Sequence, residues 1–368
     1  MGFPEGLWQA SVGGVILGTT ATVMLAATGK LIGLSGIFDG ALSGAAGRGW
    51  KVVFLSGLTT GGIVAGLLYP EGLDQSGSPS MSVPGFIISG FLVGLGTRLG
   101  NGCTSGHGLC GLSRLSRRGI AASLTFLTSG VAAASVMASW RASGGPTSST
   151  EQETPIAAVR YIALTAAVVG TVLTLGQKRE RLHWRAHLAS FFCGGAFGGG
   201  LVLSGMVRRA KVIDFLALRR DSWDPSLALV LCCGVMTAFV GFPTVVRRFG
   251  APVCGRRVSR PADGEAGYPA ALGEKFEIPT NTVVDLPLIL GAWLFGVGWG
   301  TSGLCPGPAF IAATFGLPSV ALAFLPSVAL GMKVAGPLRD AIALPDSSWM
   351  TCGGAVGPPS AEDKKKKK

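Results

Sequence analysis

Long apolar runs separated by short polar and basic stretches set the plan of this chain. Hydrophobic residues are grouped in runs of 17 to 24 rather than alternating with polar ones. Runs of that length cross ~30 Å of hydrocarbon as helices. About nine are readable, at 8–28, 50–69, 84–100, 118–140, 156–176, 186–206, 225–246, 286–303 and 309–332. Two shorter apolar segments, 31–46 and 210–220, are predicted to be partial, re-entrant or interfacial helices. The expected fold is an all-α integral membrane protein.

The pattern repeats. Gly18 to Gly29 is an eleven-residue step, and Gly194 to Gly205 is the same step, each followed by a short segment with polar flanks. This pairs 8–140 with 184–335, leaving 141–183 as a connector with one extra span and 336–368 as a basic cytoplasmic tail. Five crossings separate the first span from the sixth, so the two repeats are expected to be inverted. Interrupted spans at matching places in such halves are the sequence sign of a transporter's binding site.

Composition supports a membrane reading. Only 14% of the 368 residues are charged, against about 25% in soluble domains, and the mean hydropathy is +0.50. The 58 glycines suit close helix packing in lipid. A net charge of +12 therefore marks cytoplasmic loops rather than a nucleic-acid partner. Placing the N-terminus outside and the C-terminus in the cytoplasm puts most Lys and Arg inside; the stretch from Arg208 to Arg220 breaks the rule. The cell membrane, inner or plasma, is the expected location, with lipid as a partner. Met1 to Gly6 lack a basic group, which argues against a cleavable signal peptide. The 250–285 loop is expected to be a flexible cytoplasmic connection, and Lys364 to Lys368 a solvated tail near acidic headgroups.

Chemistry concentrates in two segments. Gly94-Leu-Gly96-Thr-Arg-Leu-Gly-Asn-Gly102-Cys103 ends one run, and Gly296-Val-Gly298-Trp-Gly-Thr-Ser-Gly303-Leu-Cys305 ends another. In both, a cysteine follows Gly-x-Gly by seven residues. Glycines let the backbone leave helical geometry, and Pro306 and Pro308 are suited to opening a new helix. Restarted helices present N–H groups that favour an anion. A thiol is a weak, polarizable donor that suits a soft sulfur atom. Apolar surroundings are expected to keep such thiols neutral. Arg98, charged within a span, is a candidate by default, with snorkelling as the competitor. Trp299 is expected to wall the path, and Trp8, Trp50, Trp140 and Trp184 to anchor span ends.

The stretch Gly102-Cys103-Thr-Ser-Gly106-His107-Gly-Leu-Cys110-Gly111-Leu-Ser113-Arg114-Leu-Ser116-Arg117-Arg118, paired with Gly298-Trp299-Gly300-Thr-Ser-Gly303-Leu-Cys305-Pro306-Gly307-Pro308, resembles the YeeE/YedE sulphur-transport family. The resemblance covers about 8–335. It implies uptake of thiosulfate through a compact inverted-repeat fold with central cysteines on a narrow path. Substrate-binding roles carry onto Cys103 and Cys305, then His107 and Cys110; Gly102, Gly106, Gly303 and Pro306, which shape the two breaks, are further candidates. No cysteine precedes Cys103, so a thiol in the first span is missing; Cys193, opposite Leu17 by the repeat step, is the candidate replacement. No cofactor and no metal are expected, and no phosphate-binding glycine loop is present. A cytoplasmic sulfurtransferase is a candidate partner. The competing readings are a membrane thiol oxidoreductase or sulfurtransferase with covalently cycling cysteines, and a sulfur-delivery partner protein.

Overall fold

A computed structural model describes residues 6–43, 48–75, 77–142, 184–218, 223–249, 270–272, 276–279, 281–315 and 317–342. Among the described residues, twelve helices are found: α1 (Leu7–Thr28), α2 (Leu34–Leu42), α3 (Arg48–Leu68), α4 (Val83–Leu99), α5 (Thr104–Gly111), α6 (Arg117–Ala142), α7 (Trp184–Leu203), α8 (Arg209–Leu216), α9 (Ser226–Phe249), α10 (Leu286–Ser302), α11 (Pro306–Thr314) and α12 (Leu325–Ile342). A single 3₁₀ turn, Pro70–Leu73, follows α3, and a π-wound turn, Val320–Phe324, leads into α12. No strand occurs among the described residues; one isolated bridge joins Lys30 to Glu277. Seven helical stretches are long and apolar enough to cross a membrane, or eight if α4 and α5, bent by 46° at their break, count as one. The chain is an all-α integral membrane protein.

The order long, short, long, long, short, long occurs twice. Packing partners correspond as well. Helix α1 lies on α9 as α7 lies on α3, and α4 lies on α12 as α10 lies on α6; α1 with α7, and α4 with α10, pack on each other. The eleven-residue steps end at equivalent places. Gly29 (φ 71°) closes α1 and Gly205 (φ 73°) follows α7, both left-handed, a conformation glycine adopts without a Cβ penalty.

The first four of these interfaces are lined by glycines one turn apart. A Cβ on Gly14 or Gly18 would strike backbone carbonyls of α9, and one on Gly57 or Gly61 would strike those of α7. Gly90 and Gly94 meet α12 or the turn before it, and Gly296 and Gly300 meet α6, in the same way. Small residues at this spacing allow the close helix contacts on which membrane bundles rely. Large apolar side chains instead point outward, among them Leu68, Val240 and Leu322, as a lipid-facing surface requires.

Several expectations are corrected. The run 309–332 is not one span: α11 ends at Thr314, and a separate helix follows Leu317. Helices α10 and α11 instead form one interrupted apolar stretch, Leu286–Thr314. Hydropathy runs unbroken across this corner, so it could not be seen from composition. The tail boundary at 336 also shifts, because α12 continues to Ile342. Part of the 250–285 loop is anchored: Ala271 and Leu272 donate to the carbonyls of Ala26 and Ala27 (3.0 and 3.1 Å), and Glu277 donates to that of Gly29 (2.9 Å). The span at 156–176, the rest of the connector, Arg219, Arg220, Cys254, Cys352 and the Lys364–Lys368 run lie outside the described residues.

Gly94→Val should destabilise the protein by about 1–3 kcal/mol or more, because an overpacked contact must separate two backbones. Gly36→Ala, whose new methyl would meet nothing within 4 Å, should be neutral or mildly stabilising. Apparent melting temperatures in detergent check both, and equal values for the two variants would refute close packing of α4 on α12.

Candidate functional site

Cys103 and Cys305 occupy the same position in their segments. Each is the N-cap of a short helix, α5 and α11, and each has extended backbone (φ −133° and −95°). Glycine makes the first interruption and proline the second. Helix α4 ends through Gly100 and Asn101, the latter left-handed at φ 58°. Helix α10 ends at Gly303 (φ 72°), where a Cβ would press on the Arg209 carbonyl. Pro306 then takes the first position of α11, where it costs no hydrogen bond. The expected breaks are therefore present at both cysteines.

The two breaks touch. Thr104 Oγ1 lies 3.3 Å from Cys305 Sγ, a contact between the first residue of α5 and the N-cap of α11. Cys103 Sγ lies 3.3 Å from Ser105 Oγ, and that hydroxyl accepts from Leu34 N–H at the start of α2 (3.0 Å). Three short helices thus meet through two hydroxyls and two thiols. Both cysteines are buried and free of disulfides.

Cys103 and Cys305 line one apolar cavity of ≈ 80 Å³. Thr104 and Ser105 are its polar edge. Phe126, Phe197, Phe215 and Trp299 supply aromatic walls, so side chains from both halves contribute. Trp299 stacks on Phe295 (6.2 Å, 3° between planes) and meets Phe126 edge-on (5.9 Å). The expectation that Trp299 walls this space agrees with its position.

Other candidates lie elsewhere. Cys110 is buried on the opposite face of α5, where its Sγ donates to the Ile32 carbonyl (3.4 Å). It lines a second, wider pocket with Gly102, Gly106 and His107. His107 Nε2–H donates to the Gly100 carbonyl (3.0 Å), tying α5 back to the end of α4. A Cβ on Gly102 would collide with that imidazole. Arg98 reaches neither space; its Nη1 pairs with Asp39 of α2 at 3.1 Å. Cys193 is buried on α7, one turn before Phe197, and does not line the cysteine cavity. Cys232 is exposed and Cys233 half-buried on α9.

Sequence reading missed Thr104 and Ser105, although both stand inside the quoted motif beside Cys103. Their roles depend on partners 201 and 71 residues away, which no local spacing announces. Arg209 was missed for the same reason. It is buried, its Nε–H donates to Ser302 O at the end of α10 (2.8 Å), and its guanidinium lies 4.9 Å over the Phe86 ring. Arg208 pairs with Asp74 (3.7 Å). Part of the basic stretch that breaks the charge rule is therefore committed to holding the fold.

A family model described as sulphur transport matches residues 3–133, and one described as a family of unknown function matches 186–341. Two proteins of Xylella fastidiosa (strain Temecula1), each named a probable transporter, are similar to this chain. One is 37% identical over 138 residues, covering 38% of this chain and 80% of its own length. Another is 38% identical over 134 residues, covering 35% of this chain and 94% of its own. These relatives are thus much shorter than the chain, and each aligned stretch approximates one of its halves in length. With a matched sulphur-transport model, related transporters and a bundle of membrane-length helices interrupted at paired cysteines, the chain belongs to the YeeE/YedE-type sulphur-transport family of integral membrane proteins.

Proposed function

We propose that this transporter imports thiosulfate through the cysteine cavity, with Cys103 and Cys305 touching the cargo in turn. The observation that carries the reading is the cavity itself: two thiols, each at the N-cap of an interrupted helix, open into one apolar space. At roughly 15 Å³ per water-sized occupant, ≈ 80 Å³ accommodates about five heavy atoms, the size of a thiosulfate ion. Its oxyanion oxygens would meet N–H groups at the helix starts, and its terminal sulfur the weak S–H donors. Neutral thiols suit this role, since thiolates in an apolar cavity would repel the anion. No covalent step is invoked.

The halves 8–140 and 184–335 are read as inverted repeats, with 141–183 as the connector and the C-terminus in the cytoplasm. The matching order of helices and the reciprocal packing of α1 on α9 and α7 on α3 support that reading. Half-length relatives support it further, since a protein of that size supplies one such unit. His107 serves by bracing the break in front of Cys103, and Gly303 and Pro306 by shaping the one around Cys305. Cys110, Gly102 and Gly106 belong to the pocket behind α5. Arg98 acts through α2, which it holds by its ion pair.

Liposomes containing the purified chain should accumulate labelled thiosulfate. Cys103→Ala and Cys305→Ala should each reduce uptake at least tenfold while keeping the wild-type elution profile; undiminished uptake by both would end the proposal. His107→Ala removes a hydrogen bond to a carbonyl at the break, worth about 1–3 kcal/mol if that group is left unsatisfied. Its apparent melting temperature should fall and its uptake should drop, while His107→Gln should restore part of both. Co-expressed fragments divided within 143–183 should co-purify and transport thiosulfate if each half is a folding unit; fragments that never associate would count against the repeat assignment.

A further inference from the structure

The wider pocket behind α5 has a chemistry opposite to that of the cysteine cavity. It measures ≈ 300 Å³ and is lined by Lys30, Lys51, Arg114 and Arg118, with Glu277 as the one carboxylate among the described residues of its lining. Asp285, beside the pocket, pairs with Arg118 at 3.2 Å, so among the described residues four cations face two carboxylates there. Lys30 and Arg118 are themselves buried. Trp50 forms part of the wall, with the Lys30 and Lys51 ammonium groups 5.1 and 5.9 Å from its ring. Arg114 is oriented through the Cys110 and Pro279 carbonyls (3.1 and 3.4 Å). Asn101 and Asn281 add amides.

Helix α5 separates the two spaces. Cys103, Thr104, Ser105, Gly108 and Leu109 face the apolar cavity. Gly102, Gly106, His107, Cys110 and Gly111 face the basic pocket. The apolar side favours a soft, weakly hydrated sulfur atom. On the basic side, guanidinium and ammonium groups favour hard, charged oxygens through charge-assisted hydrogen bonds.

We propose that the basic pocket behind α5 is a second anion site, which binds small tetrahedral oxyanions, sulfate included, through Lys30, Lys51, Arg114 and Arg118. The assignment rests on the transport reading only for how anions arrive; occupancy can be measured without transport. Sulfate separates the two sites. It carries the oxygens of thiosulfate without its terminal sulfur, so the basic pocket should hold it and the thiol cavity should not. The pocket lies among α2, α3, α5, α6 and the residues Glu277, Pro279 and Asn281; because Lys30 and Arg118 are buried, a small free ion rather than a lipid headgroup is the assigned occupant.

The test is calorimetric titration of sodium sulfate into purified protein in uncharged detergent at low ionic strength. Wild type and Cys305→Ala should bind sulfate alike. Lys51→Gln and Arg114→Gln should each weaken it about tenfold, as expected for losing one charge-assisted hydrogen bond, and Arg114→Lys should recover most of the loss. Trp50 is a built-in reporter: sulfate should change tryptophan emission in wild type, and Trp50→Phe should remove that change while binding heat persists. Absence of sulfate binding in wild type, unaltered affinity in both glutamine variants, or its loss in Cys305→Ala would overturn the assignment. Binding that survives in phosphatidylcholine nanodiscs but disappears in phosphatidylglycerol nanodiscs would assign the pocket to lipid phosphate and overturn it too. If thiosulfate uptake fails but sulfate binds as described, the transport reading falls and the second site stands.

Discussion

Within hydrocarbon, a backbone N–H or C=O that loses its helical partner must find another inside the protein. That constraint governs how this molecule can be interrupted. Three side chains from neighbouring segments meet it at the breaks. His107 donates to the Gly100 carbonyl, Arg209 to the Ser302 carbonyl, and Ser105 accepts from the Leu34 N–H. Each satisfies a group at the end of a helix and ties two elements together. The breaks are therefore fixed structural features, and the cysteines at their N-caps are held where those ties place them.

Close helix packing makes the ties reachable. Lipid offers little hydrophobic drive for helices to associate, so contact must come from fitted surfaces. Glycines one turn apart on α1, α3, α4 and α10 bring backbones together along the principal interfaces. Bulky side chains are kept for the outer surface and for the aromatic walls of the cavity. Arg209 shows how far this arrangement can go. A guanidinium is costly to bury, but here it finds a carbonyl and an aromatic face, so its charge locks α8 against α10 and α4.

Much of this was legible in the sequence. Apolar run length gave the membrane class, and paired Gly-x-Gly and cysteine spacings placed both interruptions. Proline at 306 marked the restart of the second helix. What escaped depended on partners distant in the chain. Hydropathy cannot register a corner between α11 and the helix after it, because both sides are apolar. Arg98 looked available for ligand until Asp39 was found beside it. Cys193 follows the repeat step and shares a helix face with Phe197 and Leu201, which line the cavity, but it stands a turn short of them and does not reach it. Trp50 sits near a span end as an anchor would, but two ammonium groups lie over it.

The separation of Cys103 and Cys305 from the cations across α5 has a physical basis. Guanidinium and ammonium groups need water or polar partners around them, and a cavity holding both would be wet. In a wet cavity, weak S–H donors compete poorly with water for an anion, and discrimination in favour of sulfur is lost. Keeping the cations behind α5 leaves Cys103 and Cys305 in apolar surroundings. A short helix with glycine or small side chains on both faces is thin enough to serve both environments while keeping them apart.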